Sequence, residues 1–310
     1  MGKYIVRRLL WAVVVVLCVS AITFLITFVI PADPAKQVAG PHATPAVLAQ
    51  IRHNLGLDKP LWYQYGLYLW HLLHFNLGYS YVNQLPVMQQ ILQRFPATVM
   101  IALFAIFFEL AIGIPIGMIS ALRQYSAEDR AFTIFSLLGV SMPTFFLGML
   151  LIYFFAFRIP IFPNLSAYSG ALHPAYFILP GLTLGITGAA WYSRMLRSKM
   201  LDILNAEYVK AARAKGLPER TVVWRHIMRN AWSPIITLLG MDVGWFLGGV
   251  LIVEIVFSIP GIGWQAWQAI ENLDHPLIMG TVEFAALLVV LANLVTDIAY
   301  TWLDPRVKYS

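Results

Sequence analysis

Residues 97–121 read ATVMIALFAIFFELAIGIPIGMISA, and only one of these side chains, Glu109, carries a charge. A hydrocarbon core roughly 30 Å thick needs about 20 apolar residues of helix, so this stretch is long enough to cross a bilayer. Five more stretches have the same character: 9–30, 131–157, 176–193, 233–257 and 279–302. Together they predict an all-α integral membrane protein with six transmembrane helices. Composition agrees. Of 310 residues, 59% are hydrophobic and 12% charged, against about a quarter charged in a soluble domain.

The first stretch follows Lys3, Arg7 and Arg8, as a signal peptide would. It is too long for one, however, and ends in Ile30-Pro31 without a small-residue cleavage pattern. It reads as an uncleaved anchor. With the N-terminus in the cytoplasm, the cytoplasmic segments hold 16 of the 21 Lys and Arg residues. The outer segments hold five: Lys36, Arg52, Lys59, Arg94 and Arg158. This bias predicts both termini inside. It also accounts for the net charge of +6 without a nucleic-acid partner. The single cysteine, Cys18, excludes an intrachain disulfide and a cysteine metal site.

The organisation expected is an N-terminal segment and first helix at 1–30, an extracytoplasmic helical segment at 31–94, a five-helix core at 95–303 and a cytoplasmic tail at 304–310. In the outer segment, Thr44-Pro45 and Gly56 bracket a short helix at 45–55. A second helix follows Asp58 to about Phe75 and carries Trp62, Tyr63, Tyr65, Tyr68 and Trp70; a third starts at Pro86. Such an aromatic helix suits either the headgroup region or a subdomain on the outer mouth. His71 and His74 lie one turn apart, but a metal site needs a further ligand; none is assigned.

The loop at 194–231 carries the strongest functional pattern. From Asn205 it reads NAEYVKAARAKGLPERTVVWRHIMRNA. A helix-forming run at 207–215 ends at Gly216, and Leu217-Pro218-Glu219 restarts a helix. Ala211, Ala212 and Ala214 leave one side nearly bare, as a docking surface requires. A disordered topological anchor would need none of these features.

At these residues the chain resembles the membrane subunits of ABC importers. Their loop signature is Glu-Ala-Ala, three residues, Gly, and an Ile about ten residues on. Ala211, Ala212, Gly216 and Ile227 match it, while Lys210 replaces the glutamate and Arg229-Asn230 the late Leu-Pro. Further tracts resemble the dipeptide/oligopeptide permease branch: Leu55-Gly56-Leu57-Asp58-Lys59-Pro60-Leu61, Gln64-Tyr65, Leu77-Gly78, Ala212-Arg213-Ala214-Lys215-Gly216-Leu217, Arg225-His226 and Arg229-Asn230-Ala231. So do Glu254, Phe257, Pro260-Gly261-Ile262-Gly263, Asp274, Pro276 and Leu303-Asp304-Pro305-Arg306. The resemblance implies the type I ABC importer permease fold and a prokaryotic inner-membrane location. It also implies coupling through Glu207, Tyr208, Ala211, Ala212, Lys215, Gly216 and Leu217 to two separate ATPase subunits that bind ATP and Mg. A second permease subunit and an extracytoplasmic binding protein would complete the system. No G-x-x-x-x-G-K-[ST] phosphate loop occurs in this chain, and no nucleophile–base constellation suggests catalysis. No cofactor is expected to bind it.

Five acids fall within the predicted spans: Glu109 and Asp242 near mid-bilayer, Glu254 and Glu283 toward the outer face, and Asp297 toward the inner. Membrane acids face a bundle interior or a wet cavity. Glu109 and Asp242 either line the translocation path or hold helices in register. Gly113 and Gly117, like Gly240, Gly244 and Gly248, recur every four residues and predict close helix packing. Pro115 and Pro143 predict kinks. Glu254, Pro260, Gly261 and Gly263, followed by a short helix with Trp264 and Trp267, form a candidate outer gate, or the tryptophans serve as a plain interfacial anchor. Nickel or another small solute is the alternative cargo, with His71, His74, His173 and His275 on the outer side. An ion-gradient transporter would leave the loop without a purpose, and a non-transporting scaffold would not need it coupled.

Overall fold

The computed structural model describes residues 2–29, 33–40, 42–163, 170 and 172–303. The tail at 304–310, with Asp304-Pro305-Arg306, lies outside the described residues. Fourteen α-helices follow in chain order among them. Helix α1 (Gly2–Val29) precedes three short helices, α2 (Pro34–Ala39), α3 (Pro45–Asn54) and α4 (Leu61–Leu73). Then come α5 (Val87–Leu122), α6 (Ala127–Ser141), α7 (Thr144–Ile152) and α8 (Ala175–Leu204). A hairpin of α9 (Glu207–Ala214) and α10 (Glu219–Thr221) leads into α11 (Met228–Leu247). The chain continues with α12 (Leu251–Val256), α13 (Ile262–Glu271) and α14 (His275–Leu303). Single π-helical segments, Tyr153–Arg158 and Val222–Ile227, extend α7 and join α10 to α11.

The protein is an all-α integral membrane protein. Val6–Thr27 of α1, α5, and His275–Ile298 of α14 are long and apolar enough to cross a bilayer, and the bent segment Ala127–Ser141 plus Thr144–Arg158 makes a fourth. The other two expected spans are also helical, within α8 and α11. Their apolar runs are shortened by Arg194, Arg197 and Lys199 in α8, and by Arg229, Asn230 and Asp242 in α11.

Two sequence expectations about elements are corrected, and the kink expected at Pro143 is present. The third helix of the outer segment is not separate: it starts after Pro86 and runs unbroken into the second span, past Pro96 and Pro115. The stretch 131–157 is not one rod. It bends by 104° at Pro143, because proline donates no bond to the preceding turn and drives Met142 to extended backbone (ψ 126°). The stretch 233–257 is also broken, since α11 stops at Leu247 and the chain turns through Gly248 and Gly249, the latter at φ +106°. The other sequence-level helices stand, with α3 capped by Thr44 (Val47 N–H to Oγ1, 3.4 Å) and α4 narrower than its expected 58–75.

The centre of the bundle is the parallel pair α5 and α8. Glycines on each helix receive the other: a Cβ on Gly113 would lie 2.8 Å from Tyr192 Cβ, and one on Gly117 2.7 Å from the Ser193 carbonyl oxygen. In return, Gly181 and Gly185 accommodate Phe104 and Phe108. Small residues let backbones approach where no hydrophobic force between helices exists. A second seam runs between α11 and α14, where Gly240 faces Thr296 and Gly244 faces Ala292 and Val289. The aromatic α4 buries none of its residues. It leans on α1 through Tyr65, whose hydroxyl is 2.9 Å from Ser20 Oγ and whose ring is 5.2 Å from Phe24. Trp62 and Trp70 remain exposed. One face of the bundle thus carries the α9 hairpin, and the opposite face, the far face, carries α2–α4 and α13.

Candidate functional site

The hairpin is a small folded unit. Gly216 at φ +75° ends α9, its N–H donating to Arg213 O at 2.9 Å and that of Leu217 to Ala212 O at 3.4 Å. A left-handed residue at this point suits glycine. Val209 and Ala212 point inward, onto a core that includes Met200, Ile203, Val222, Val223 and Ile227. Arg213 closes the hairpin with two bonds to Glu219, at 2.6 and 3.1 Å, and this guanidinium holds the Glu219 carboxyl below its ordinary range. Asn230 donates to the Tyr208 hydroxyl at 2.9 Å. Lys210 pairs with Glu207 at 2.9 Å. The expected bare alanine face is corrected in one respect: Ala212 is buried in the hairpin core, so only Ala211 and Ala214 face outward. With them lie exposed Glu207, Tyr208, Lys210, Lys215, Gly216 and Leu217.

Midway along the α5–α8 seam the packing turns polar. Glu109, 2% exposed, fits only because residue 188 is glycine; a Cβ there would sit 1.8 Å from Glu109 Oε1. Glu109 Oε2 has no hydrogen-bond partner among the described residues. One turn along α8, Tyr192 donates its hydroxyl proton to Asp242 Oδ2 of α11 at 2.5 Å. The two mid-span acids are therefore gathered by three helices around one tyrosine. Neither Tyr192 nor Gly188 carries a sequence signal by itself; each is found by the register of α5 on α8. The cluster offers oxygen acceptors in an apolar setting and no nucleophile–base pair.

The expected gate residues also come together. Glu254 of α12 is fully buried. Its Oε1 accepts from Thr98 Oγ1 of α5 at 2.7 Å, and its Oε2 from the Trp264 N–H at 2.8 Å. Thr98 Oγ1 in turn accepts from the Ile262 N–H at 2.9 Å. The carboxylate thus serves the unpaired amides that open α13. Gly261 and Gly263 are the close contacts: a Cβ would lie 2.2 Å from Glu254 Oε1 or 2.8 Å from the Leu251 backbone. Pro260 precedes this cluster in the turn. A similar clamp lies at Asp274, which accepts from Ser80 Oγ and, at 3.0 Å, from the Tyr81 N–H. It ties the segment before α5 to the start of α14. Thr98 and Ser80 carry no signal in the sequence, because hydroxyls are common and their partners lie more than 150 positions away.

The family of binding-protein-dependent transport system inner membrane components matches residues 113–309, and its N-terminal companion matches residues 1–102. The chain belongs to this family. Relatives at similar identity span its whole length. They include a probable peptide ABC transporter permease of Sinorhizobium fredii (36% identical, all of both chains) and a glutathione transport system permease of Salmonella choleraesuis (36%, all of both chains). A dipeptide transport system permease of Alkalihalophilus pseudofirmus is 35% identical, again over all of both chains. Among solved structures, the MetNI methionine ABC transporter in inward-facing conformations superposes with a TM-score of 0.55 at 17% identity, covering 70% of this chain and 97% of that one. That likeness bears on the fold, which is that of a type I importer permease. The permease is accordingly the membrane subunit of an ABC importer, and its family works with ATPase and binding-protein partners. Glu254, Gly261 and Gly263, quoted above as part of the permease resemblance, form one contact cluster in this permease.

Proposed function

We propose that this permease imports dipeptides or oligopeptides across the cytoplasmic membrane of a prokaryote, forming one half of a pore whose other half is a second, related permease. The names of its full-length relatives, peptide, dipeptide and glutathione permeases, carry the cargo assignment, glutathione being itself a short peptide. Both termini lie in the cytoplasm in this reading, supported by the 16-to-five division of basic residues. The exposed surface of α9, from Glu207 to Leu217, docks into one of two ATPase subunits, which bind the ATP and Mg. The permease itself is not an enzyme. A binding protein delivers peptide at the far face, where the Glu254, Pro260, Gly261 and Gly263 turn acts as the gate. Glu109 and Asp242, held with Tyr192 at mid-bundle, line the path and accept hydrogen bonds from the peptide amino group.

The complete complex in vesicles, given labelled dipeptide, tests this. Uptake is expected to require ATP on the hairpin side, to persist when ion gradients are collapsed, and to be unaffected by Ni2+. Gradient-driven uptake without ATP, or a binding protein that takes Ni2+ and no peptide, would overturn the proposal.

A further inference from the structure

Glu283 on α14 belongs to none of the clusters above. It is 4% exposed, and neither Oε1 nor Oε2 has a hydrogen-bond partner among the described residues. The carboxylate lines a cavity of about 220 Å3 whose other walls are apolar: Val16 of α1, Leu72 and Leu73 at the end of α4, Met88 of α5, and Leu287 of α14. Its rim is apolar too, and Leu73 and Phe75 are about three-quarters exposed.

Two constraints select an occupant. The entrance is built of exposed leucine and phenylalanine, so a hydrated solute would lose its water there for no return. Whatever enters must carry hydrocarbon. Among the described residues that line it, Glu283 alone is polar and both its oxygens lack a hydrogen-bond partner, and an isolated buried charge is costly without a donor or counter-ion. The flanking α4 leaves Trp62 and Trp70 exposed, and amphipathic rings of this kind favour the company of lipid headgroups. We infer that this cavity binds a membrane lipid whose headgroup carries a primary ammonium, its N–H groups donating to Glu283 and its chains lying along Leu73, Phe75 and Leu287. A choline headgroup supplies the charge and no N–H donor; an anionic headgroup meets repulsion. The bound lipid would fasten α4 to α14.

The test is native mass spectrometry of the protein, with any co-purifying subunits, released from nanodiscs holding equal parts of ethanolamine, choline and glycerol phospholipids. The wild type is expected to retain the ethanolamine lipid over the other two by about tenfold, the range of one charge-assisted hydrogen bond. Glu283→Gln should abolish that preference by removing the charge, and Leu73→Trp by filling the cavity while leaving the acid in place. Absence of headgroup preference in the wild type would overturn the inference, as would an undiminished preference in either variant. If Glu283→Gln does not assemble, Leu73→Trp decides alone.

Discussion

Gly188 shows how much a single missing side chain decides. A Cβ there would land on Glu109, and the nearest atoms are a carboxylate already confined between two helices. Gly188→Leu is therefore expected to cost about 1–3 kcal/mol through overpacking, read as a lowered thermal unfolding midpoint in nanodiscs. Gly66→Leu, on α4, is the control: nothing lies within 4 Å of its added Cβ, and the midpoint should hold. Thr98→Val tests the Glu254 cluster in the same assay. It leaves Glu254 Oε1 and the Ile262 N–H without their shared hydroxyl, and a loss of about 1–3 kcal/mol is expected; an unchanged midpoint would remove Thr98 from the cluster's support. Gly113 and Gly117 were legible in the sequence because they repeat on one helix. Gly188 was not, since what makes it indispensable is a residue 79 positions earlier on another helix. In the same way, Asp242 and Glu109 were visible as acids in apolar runs, while Tyr192 between them looked like any aromatic residue in a span.

Among the elements, the hairpin was legible and the broken spans were not fully so. Gly216 and Pro218 punctuate α9 and α10 locally, and local signals survive in a single sequence. The placing of Ala212 inward depends on the core it meets, so the pair Ala211-Ala212 could not be divided beforehand. Pro143 marked where the third span would kink. The 104° size of the bend reflects the packing of α7 against α8 and α12, which no local rule contains. Gly216→Val places a branched side chain at φ +75°, a conformation costing roughly 1–2 kcal/mol; ATP-driven uptake by the whole complex should fall severalfold while membrane insertion is unchanged. The Arg213–Glu219 clasp adds a pH dependence. Because Arg213 depresses the folded Glu219 value below 4.5, its contribution is complete above about pH 4.5 and lost as pH falls through the folded value. Glu219→Gln should thus be slightly less stable than wild type at pH 7, by less than about 1 kcal/mol since the pair is exposed. The two should converge in strong acid, and a gap that instead widens on acidification would refute the assignment.

For the molecule as a whole, two buried carboxylates hold the far face together. Glu254 joins α5, α12 and α13, and Asp274 joins the segment before α5 to α14. Asp274→Ala strands Ser80 Oγ and the Tyr81 N–H, and a cost of about 2 kcal/mol is expected. Hydrogen exchange should show the added opening at residues 78–86 and the start of α14, with the hairpin unaffected; uniform loosening of the bundle would contradict so local a role. The overall class was legible from apolar run lengths, because a bilayer imposes its thickness on any chain that crosses it. How the helices are ordered around α5 and α8 was not.

The fracture at Pro143 has a mechanical corollary. Thrust delivered to the hairpin has an unbroken shaft available in α8, which runs 30 residues from the hairpin toward the far face and is keyed by its glycines to the 36-residue α5. The α6–α7 limb beside them offers no such straight shaft, being bent by 104° at Pro143. Under the proposed coupling, the α5–α8 pair would turn as one axle with the limb as a trailing link.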